Sequence, residues 1–216
     1  VFGGTFNPIH TGHLRAAEEF REACRLDEVR LIPSALPPHK APDDLANAAD
    51  RLRMVELAVD GTPGFRAWAI ELERPGPSYS VDTLRALRTD VPPDTRIVFA
   101  IGRDAFADFH TWKEHEAIFG LCDVAVLTRP PWPDRLVQSD FPVVSQKAFC
   151  YDSTSDAFRH VSGHSVTFER ITALDISATD IRDRVRTRHS IRFLVPPVVE
   201  SYIATHGLYR SEDVPR

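Results

Sequence analysis

Apolar residues along this chain recur in two patterns that alternate from one end to the other. Short continuous apolar runs predict β-strands, and apolar residues three or four positions apart predict helices with one buried face. After an apolar start at Val1–Phe2, the predicted strands are Glu28–Pro33, Phe65–Leu72, Arg96–Gly102, Asp123–Thr128 and Val166–Ile171. The predicted helices are a stripe from Leu14 to Cys24, then Arg51–Asp60, Ser80–Thr89, Trp112–Gly120, Ser177–Arg188 and Pro196–His206.

This alternation predicts the fold class. Repeated β-α units with continuously apolar strands indicate an α/β fold, a Rossmann-like doubly wound parallel sheet with helices on both faces and closing C-terminal helices. Ligands of such sheets bind beyond the carboxyl ends of the strands. With 216 residues, we expect a single domain over 1–216, and we expect its first strand to be cut short at Val1. Residues 129–165 have little periodicity and receive no assignment.

The composition is ordinary for a soluble globular protein, with 43% hydrophobic and 26% charged residues. A formal net charge of −5 argues against nucleic acid as a partner, because no global excess of cations exists to neutralise its phosphates. No stretch has the length of a transmembrane helix and no signal peptide is recognisable, so we expect no membrane partner. The three scattered cysteines predict reduced thiols and a cytoplasmic location.

Most of the chemical information lies in Gly3–Leu14, which reads GGTFNPIHTGHL. Because the paired glycines carry no Cβ, their backbone N–H groups can approach phosphate oxygens closely. His13 falls at the N-terminus of the predicted helix, where unpaired N–H groups and the helix dipole favour an anion. His10 adds a second imidazole three residues earlier. The pattern predicts a site for a triphosphate.

The same residues are also compatible with a simple turn or with a zinc site. A Gly-Gly pair after a strand is often only a turn, and His10 and His13 could instead bind zinc. Zinc would need two more ligands, yet the cysteines are far apart in sequence and no Cys-x-x-Cys occurs. The segment also lacks the P-loop pattern and the Gly-x-Gly-x-x-Gly dinucleotide fingerprint. We therefore expect no zinc ion at these residues, and we name no protein ligand for a metal ion.

A second candidate anion site lies in Asp175–Arg182, which reads DISATDIR. Ser177 is placed to cap a helix, and Asp180 occupies the third position after it, as in a capping box. The alternative is a purely structural cap followed by an exposed Arg182. Hydroxyls, unpaired N–H groups and an arginine one turn into a helix are also what the β- and γ-phosphates of a nucleotide require.

Together these two motifs resemble those of the HxGH nucleotidyltransferases, and within them the bacterial nicotinate-nucleotide adenylyltransferases. That family usually has Asp at the position of Asn7 and a second Ser at the position of Ala178, so this chain lacks one charge and one hydroxyl. Val195–Arg210 is similar to the closing helix and tail of the family. The resemblance touches most of the chain and is weakest over residues 129–165.

The resemblance implies roles for two sets of residues. Those implied in binding ATP and its phosphates are Gly3, Gly4, Thr5, Phe6, His10, His13, Lys40, Gly102, Asp104, Ile176, Ser177, Thr179 and Arg182. Those implied in binding the acceptor are His39, Thr83, Trp112 and Lys113. Thr83 would lie at the pyridine carboxylate and Trp112 would stack on the ring. Without the resemblance, Thr83 belongs to a helix start and Trp112 to a core.

The activity implied by the resemblance is transfer of AMP from ATP to nicotinate mononucleotide, giving deamido-NAD and pyrophosphate in NAD biosynthesis. His13, His10 and Arg182 are the implied catalytic residues, and Mg²⁺ would be held mainly by the ATP phosphates. One alternative is nicotinamide mononucleotide as the preferred acceptor. Another is a non-catalytic nucleotide-binding protein, which should have lost one of those three residues. A homo-oligomer is compatible with the sequence.

Overall fold

The computed structural model of the chain describes residues 1–35, 45–74, 76–129, 137, 141 and 146–210. Its strands are β1 (Phe2–Gly4), β2 (Val29–Pro33), β3 (Phe65–Ala67), β4 (Val98–Gly102), β5 (Asp123–Thr128), β6 (Phe149–Asp152), β7 (Ala157–His160) and β8 (Ser165–Arg170). Its α-helices are α1 (Thr11–Ala23), α2 (Ala48–Val59), α3 (Ser80–Asp90), α4 (Arg103–Ala107), α5 (His115–Ile118), α6 (Ala178–Arg186) and α7 (Pro197–His206). None of the helices within these ranges is long and apolar enough to cross a membrane.

The strands form an eight-stranded sheet in the order β3-β2-β1-β4-β5-β8-β7-β6. The pairs β2–β3, β1–β4, β4–β5 and β5–β8 are parallel, whereas β7–β8 and β6–β7 are antiparallel. The Rossmann-like α/β prediction is confirmed. The sheet is mostly parallel, and its antiparallel pairs lie at one edge, where β6 and β7 form a hairpin in the region that received no assignment.

The chain divides into two compact units. Unit 1 contains residues 1–2, 19–26 and 78–173, and unit 2 contains residues 3–18, 27–77 and 174–216. The two phosphate motifs lie in unit 2. Unit 1 holds Gly102 and Asp104 of the implied ATP-binding set, together with the candidate acceptor residues that the structure describes.

Unit 1 is built on the parallel strands β4, β5 and β8. β4 and β5 pair from Val98 opposite Asp123 to Gly102 opposite Leu127. Their inner residues are buried on both faces, which explains the continuous apolar runs in the sequence. Beside them the β6–β7 hairpin contributes aromatic side chains that pack on Phe141, with ring centroids 4.4 Å away for Phe149 and 4.9 Å for Phe158.

Unit 2 has a core between its strands and helices. Val29, Leu31 and Ile32 of β2 are at most 1% exposed. The buried face of α2 carries Met54, Val55 and Val59, and α6 and α7 contribute further buried aliphatic residues. Asn47 caps α2 by accepting the N–H of Asp50 at 2.8 Å, so the start of this helix is fixed locally.

Two predicted elements are much shorter in the structure, and one helix was not predicted. The strand expected over Phe65–Leu72 ends at Ala67, and a turn follows in which Leu72 N–H donates to the oxygen of Ala69 at 2.7 Å. The helix expected over Trp112–Gly120 shrinks to α5, because Glu114 adopts a left-handed conformation at φ 48° and interrupts it. The short helix α4 after β4 was missed.

Candidate active site

The motif GGTFNPIHTGHL runs from the end of β1 into α1. Gly4 is required by its own loop, since a Cβ there would lie 2.9 Å from Cε1 and Cζ of Phe6. Phe6 is 1% exposed and holds a left-handed conformation at φ 48°. A Cβ on Gly3, by contrast, would meet no protein atom within 4 Å. The backbone at Gly3 therefore leaves room for close approach of a ligand, as a phosphate site needs.

The two imidazoles of the motif lie against each other. Their ring centroids are 3.6 Å apart and their planes are inclined by 23°. The backbone N–H of His13 donates to Nδ1 of His10 at 3.3 Å, which places the proton of a neutral His10 on Nε2. Phe6 packs edge-on against His13 with centroids 5.1 Å apart. A Cβ on Gly12 would stand 3.1 Å from Nδ1 of His10, so this glycine allows the helix backbone to approach the ring.

The second motif forms the beginning of α6. Oγ of Ser177 accepts the N–H of Asp180 at 3.0 Å, which confirms the predicted N-cap. Ile176, just before the cap, lies beside the first motif: a Cβ added to Gly12 would stand 3.7 Å from the Cβ of Ile176. The start of this 9-residue helix therefore lies next to the first turn of α1, within unit 2.

Arg182 is buried rather than exposed, with 7% of its surface accessible. Its Nη1 donates to the carbonyl oxygen of Asn7 at 3.0 Å, and its Nη2 donates to Oγ1 of Thr179 at 3.4 Å. The guanidinium thus joins α6 to the turn that precedes the two histidines. The alternative of a structural cap followed by a solvent-exposed arginine does not describe this geometry.

Asn7, the departure from the usual family residue, is 3% exposed and accepts two hydrogen bonds on one oxygen. Its Oδ1 accepts the N–H of Ala46 at 3.0 Å and the hydroxyl of Tyr209 at 2.9 Å. Both partners are donors, so a carboxylate oxygen at this position would accept the same bonds. Asn7 therefore makes the two hydrogen bonds that an aspartate could make at this position. It does so without a buried negative charge near Arg182.

Sequence reasoning missed two residues that contact this motif. Arg51 is 0% exposed and donates to the carbonyl oxygen of Thr5 at 2.8 Å. A signal for it exists, because Arg51 precedes Met54 and Val55 on the apolar face of α2, where a charged residue must find buried partners. Tyr209, the partner of Asn7, lies in Val195–Arg210, the segment that is similar to the closing helix and tail of the family.

The candidate acceptor residues that the structure describes, Thr83, Trp112 and Lys113, lie in unit 1. Trp112 is half-buried and packs on Phe109 and Phe99, with centroids 5.2 and 6.3 Å away. Thr83 is 4% exposed, and its hydroxyl donates to the backbone oxygen of Tyr79 at 3.3 Å. Trp112 therefore presents part of its ring to solvent, whereas the hydroxyl of Thr83 is directed along its own helix.

Lys113 is engaged with α3. Its Nζ lies 2.9 Å from Oδ2 of Asp82 and 4.8 Å from the ring centroid of Tyr79. The next residue, Glu114, forms an ion pair with Arg85 of the same helix. These pairs join the segment after Trp112 to α3.

The remaining predicted residues fall into two groups. Gly102 and Asp104 lie at the end of β4 and in the first turn of α4, and both are exposed. A Cβ on Gly102 would meet no protein atom within 4 Å. His39 and Lys40 lie outside the described residues.

The described part of the chain offers no group of three or more His, Cys, Asp or Glu side chains suited to a metal ion. The first motif contains no carboxylate, and proteins usually hold Mg²⁺ through one or two carboxylates together with substrate phosphates. The residues present therefore do not fit a protein-bound Mg²⁺ at this motif.

Comparison with known proteins identifies the family. Residues 1–184 match the sequence model of the cytidylyltransferase-like family. A relative from Syntrophotalea carbinolica, described as a probable nicotinate-nucleotide adenylyltransferase, is 46% identical over 99% of this chain and 97% of its own length. A relative from a Geobacter species with the same description is also 46% identical, over 97% of this chain and 96% of its own.

Solved structures agree with the observed architecture. The nicotinic acid mononucleotide adenylyltransferase of Plasmodium falciparum in complex with NaAD superposes with a TM-score of 0.69 at 17% identity, covering 96% of this chain and 95% of that one. The same enzyme in complex with APC gives a TM-score of 0.68. At 17% identity these structures establish the fold only. The family model and the relatives at 46% identity establish the family: the chain belongs to the cytidylyltransferase-like family and, within it, to the nicotinate-nucleotide adenylyltransferases.

Proposed function

We propose that this protein transfers the adenylyl group of ATP to nicotinate mononucleotide, releasing pyrophosphate and forming deamido-NAD for NAD biosynthesis. The observation that carries the proposal is the arrangement of unit 2: His10, just before α1, stacks on His13 in the first turn of that helix, and Arg182 donates to the carbonyl oxygen of Asn7 in the preceding turn. Relatives that share 46% of the sequence carry the name of this activity.

The chemistry needs no strong general base. A phosphate monoester is largely ionised near neutral pH, so the acceptor phosphate is already a nucleophile. One oxygen of the acceptor phosphate forms a bond to the α-phosphorus of ATP. The bond between the α-phosphorus and the oxygen that bridges it to the β-phosphorus breaks, and the electrons of that bond leave with pyrophosphate. Catalysis then consists of positioning two anions and stabilising the charge that develops on the transferred and leaving groups.

The residues of unit 2 are suited to that task. We assign His13 to the α-phosphate and His10, Arg182 and Lys40 to the polyphosphate, because imidazole and cationic donors stabilise phosphate oxygens. The backbone of Gly3–Phe6 and the N-terminus of α6, from Ile176 to Thr179, supply N–H donors. Gly102 and Asp104 are assigned to the nucleoside, with the carboxylate accepting from ribose hydroxyls.

We assign the acceptor to Trp112, Thr83, Lys113 and His39. The half-buried ring of Trp112 can stack on a pyridine ring, which supports this assignment. The hydroxyl of Thr83 is bonded to its own helix, so recognition of the pyridine carboxylate here would rely on backbone N–H groups at the start of α3. Nicotinamide mononucleotide stays the alternative substrate. A backbone carbonyl in place of one backbone N–H at the pyridine substituent would favour the amide over the carboxylate.

Mg²⁺ enters this proposal as part of the substrate. It would be carried by the ATP phosphates and water, which it commonly retains as ligands, and would neutralise phosphate charge. We also propose a cytoplasmic location, which the free thiols of Cys24, Cys122 and Cys150 favour.

Labelled ATP tests the reaction type. With ATP labelled at the α-phosphorus, Mg²⁺ and nicotinate mononucleotide, the label is expected in the dinucleotide, and with γ-labelled ATP it is expected in pyrophosphate. Label from the γ-position in the acceptor product would instead demonstrate phosphoryl or pyrophosphoryl transfer. A non-catalytic nucleotide-binding protein would leave both labels in ATP.

A further inference from the structure

Arg51 of α2 lies completely inside unit 2 and donates to backbone oxygens. Its Nη1 donates to Thr5 at 2.8 Å and Ser34 at 2.7 Å, its Nη2 donates to Ala35 at 3.0 Å, and its Nε donates to Ala46 at 3.0 Å. The guanidinium therefore fixes four peptide groups. These belong to three separate loop segments, one of which is the phosphate motif.

Tyr209 fixes the same motif from the other end of the chain. Its hydroxyl donates to Oδ1 of Asn7 at 2.9 Å, and the same oxygen accepts the N–H of Ala46, whose carbonyl binds Arg51. Burial raises the pKa of Tyr209, so its hydroxyl keeps its proton and stays a donor. The turn Thr5–Asn7 is thus held at its first residue by Arg51 and at its last by Tyr209.

We propose that Arg51 and Tyr209 are positioning residues for ATP, which hold the turn Thr5–Asn7 in the conformation that binds the triphosphate. This inference rests on the proposed function and adds two residues to it. Neither side chain is assigned a contact with substrate, and both act through the backbone and side chain of the turn.

The chemistry of Arg51 favours this role over simple stabilisation. Removing a guanidinium from water is costly, and a well-packed apolar side chain at such a site often stabilises a protein as much or more. What an apolar residue cannot do is hold several carbonyl groups in fixed directions, for which the planar fork of arginine is suited. The burial that accompanies this geometry lowers the pKa of the Arg51 guanidinium.

The chain provides a matched control for each positioning residue. Arg51→Lys keeps the charge and loses the fork, and Arg53→Lys makes the same change two positions along α2, where the side chain is 54% exposed and paired with Glu56. Tyr209→Phe removes one hydroxyl from Asn7. Tyr202→Phe removes one hydroxyl that donates to Asp50 at 2.8 Å and does not contact the motif.

The test measures ATP affinity and nicotinate mononucleotide affinity by titration calorimetry on all four variants, with urea unfolding measured in parallel. We expect Arg51→Lys to weaken ATP binding by at least about tenfold and Tyr209→Phe by about threefold to tenfold. Acceptor affinity should remain at the wild-type value. The two controls should retain wild-type ATP affinity, even where Tyr202→Phe costs as much stability as Tyr209→Phe.

Each outcome decides the proposal. Wild-type ATP affinity in Tyr209→Phe overturns it, and this variant decides the question if Arg51→Lys does not fold. Equal losses of ATP affinity in Tyr209→Phe and Tyr202→Phe also overturn it, because a general loss of stability would then be the cause. A wild-type protein that binds no ATP overturns the proposed function together with this inference, whereas ATP binding that is unchanged in the variants overturns this inference alone.

Discussion

Gly12→Ala tests whether the geometry of the two histidines governs catalysis. The added Cβ would lie 3.1 Å from Nδ1 and 3.2 Å from Cε1 of His10, a few tenths of an ångström closer than ordinary contact. His10 is 6% exposed and its ring already rests 3.6 Å from that of His13. The ring of His10 therefore cannot relax without disturbing His13.

The expected magnitudes separate stability from activity. Alanine is favoured over glycine in a helix by up to about 1 kcal/mol, and this gain opposes a steric cost of about 1–3 kcal/mol. The free energy of unfolding should thus fall by no more than about 3 kcal/mol. Misplacing a catalytic group by about 1 Å can cost about a hundredfold in rate, so a smaller shift should lower kcat by at least about tenfold.

The assay is pyrophosphate release at saturating ATP and acceptor, with urea denaturation of the same preparations. Gly120→Ala is the matched control, because its Cβ would meet only the oxygen of Ala117 at 3.4 Å, far in sequence from the motif. A folded Gly12→Ala protein with the kcat of the wild type would show that the geometry of the two histidines does not govern catalysis. So would an equal loss of kcat in both variants.

Three further predictions concern side chains of known environment. His13→Ala should lower kcat by at least about a hundredfold in a protein that still folds, and wild-type turnover would remove His13 from the mechanism. Asn7→Ala leaves the N–H of Ala46 and the hydroxyl of Tyr209 without their acceptor and should lower the free energy of unfolding by about 2–4 kcal/mol. Asn7→Asp keeps an acceptor oxygen and should lower it by less. Equal losses of the two variants in urea denaturation would contradict this. Burial raises the pKa of Cys24 and Cys122 to about 12, and Cys150 is exposed, so Ellman's reagent should label one thiol quickly in the native protein and three after denaturation. Rapid labelling of two or three native thiols would disprove the burial.

Local features of the site could be predicted from sequence because neighbouring residues determine them. The N-cap at Ser177 depends on a donor three residues away. The same holds for the strands β4 and β5, whose continuous apolar runs reflect burial on both faces. Patterns of this length are visible in a single sequence.

Features that depend on distant contacts could not be predicted. The bond between Tyr209 and Asn7 joins residues 202 positions apart, and no local pattern signals it. The hairpin β6–β7 consists of strands of 4 residues each, too short for a clear period of two, and Phe141 completes its packing from outside both strands. The interruption at Glu114 depends on a left-handed conformation that its side chain does not signal.

Adenylyl transfer to a pyridine mononucleotide is measured most directly as pyrophosphate release in the presence of ATP and Mg²⁺. Nicotinate mononucleotide and nicotinamide mononucleotide are compared in parallel, with His13→Ala as the negative control. We predict release with both substrates present, a higher kcat/KM for the acid, and at least about a hundredfold less turnover in the variant. A preference for the amide would change the acceptor alone. The absence of pyrophosphate release with either mononucleotide would contradict adenylyl transfer as the activity of this protein.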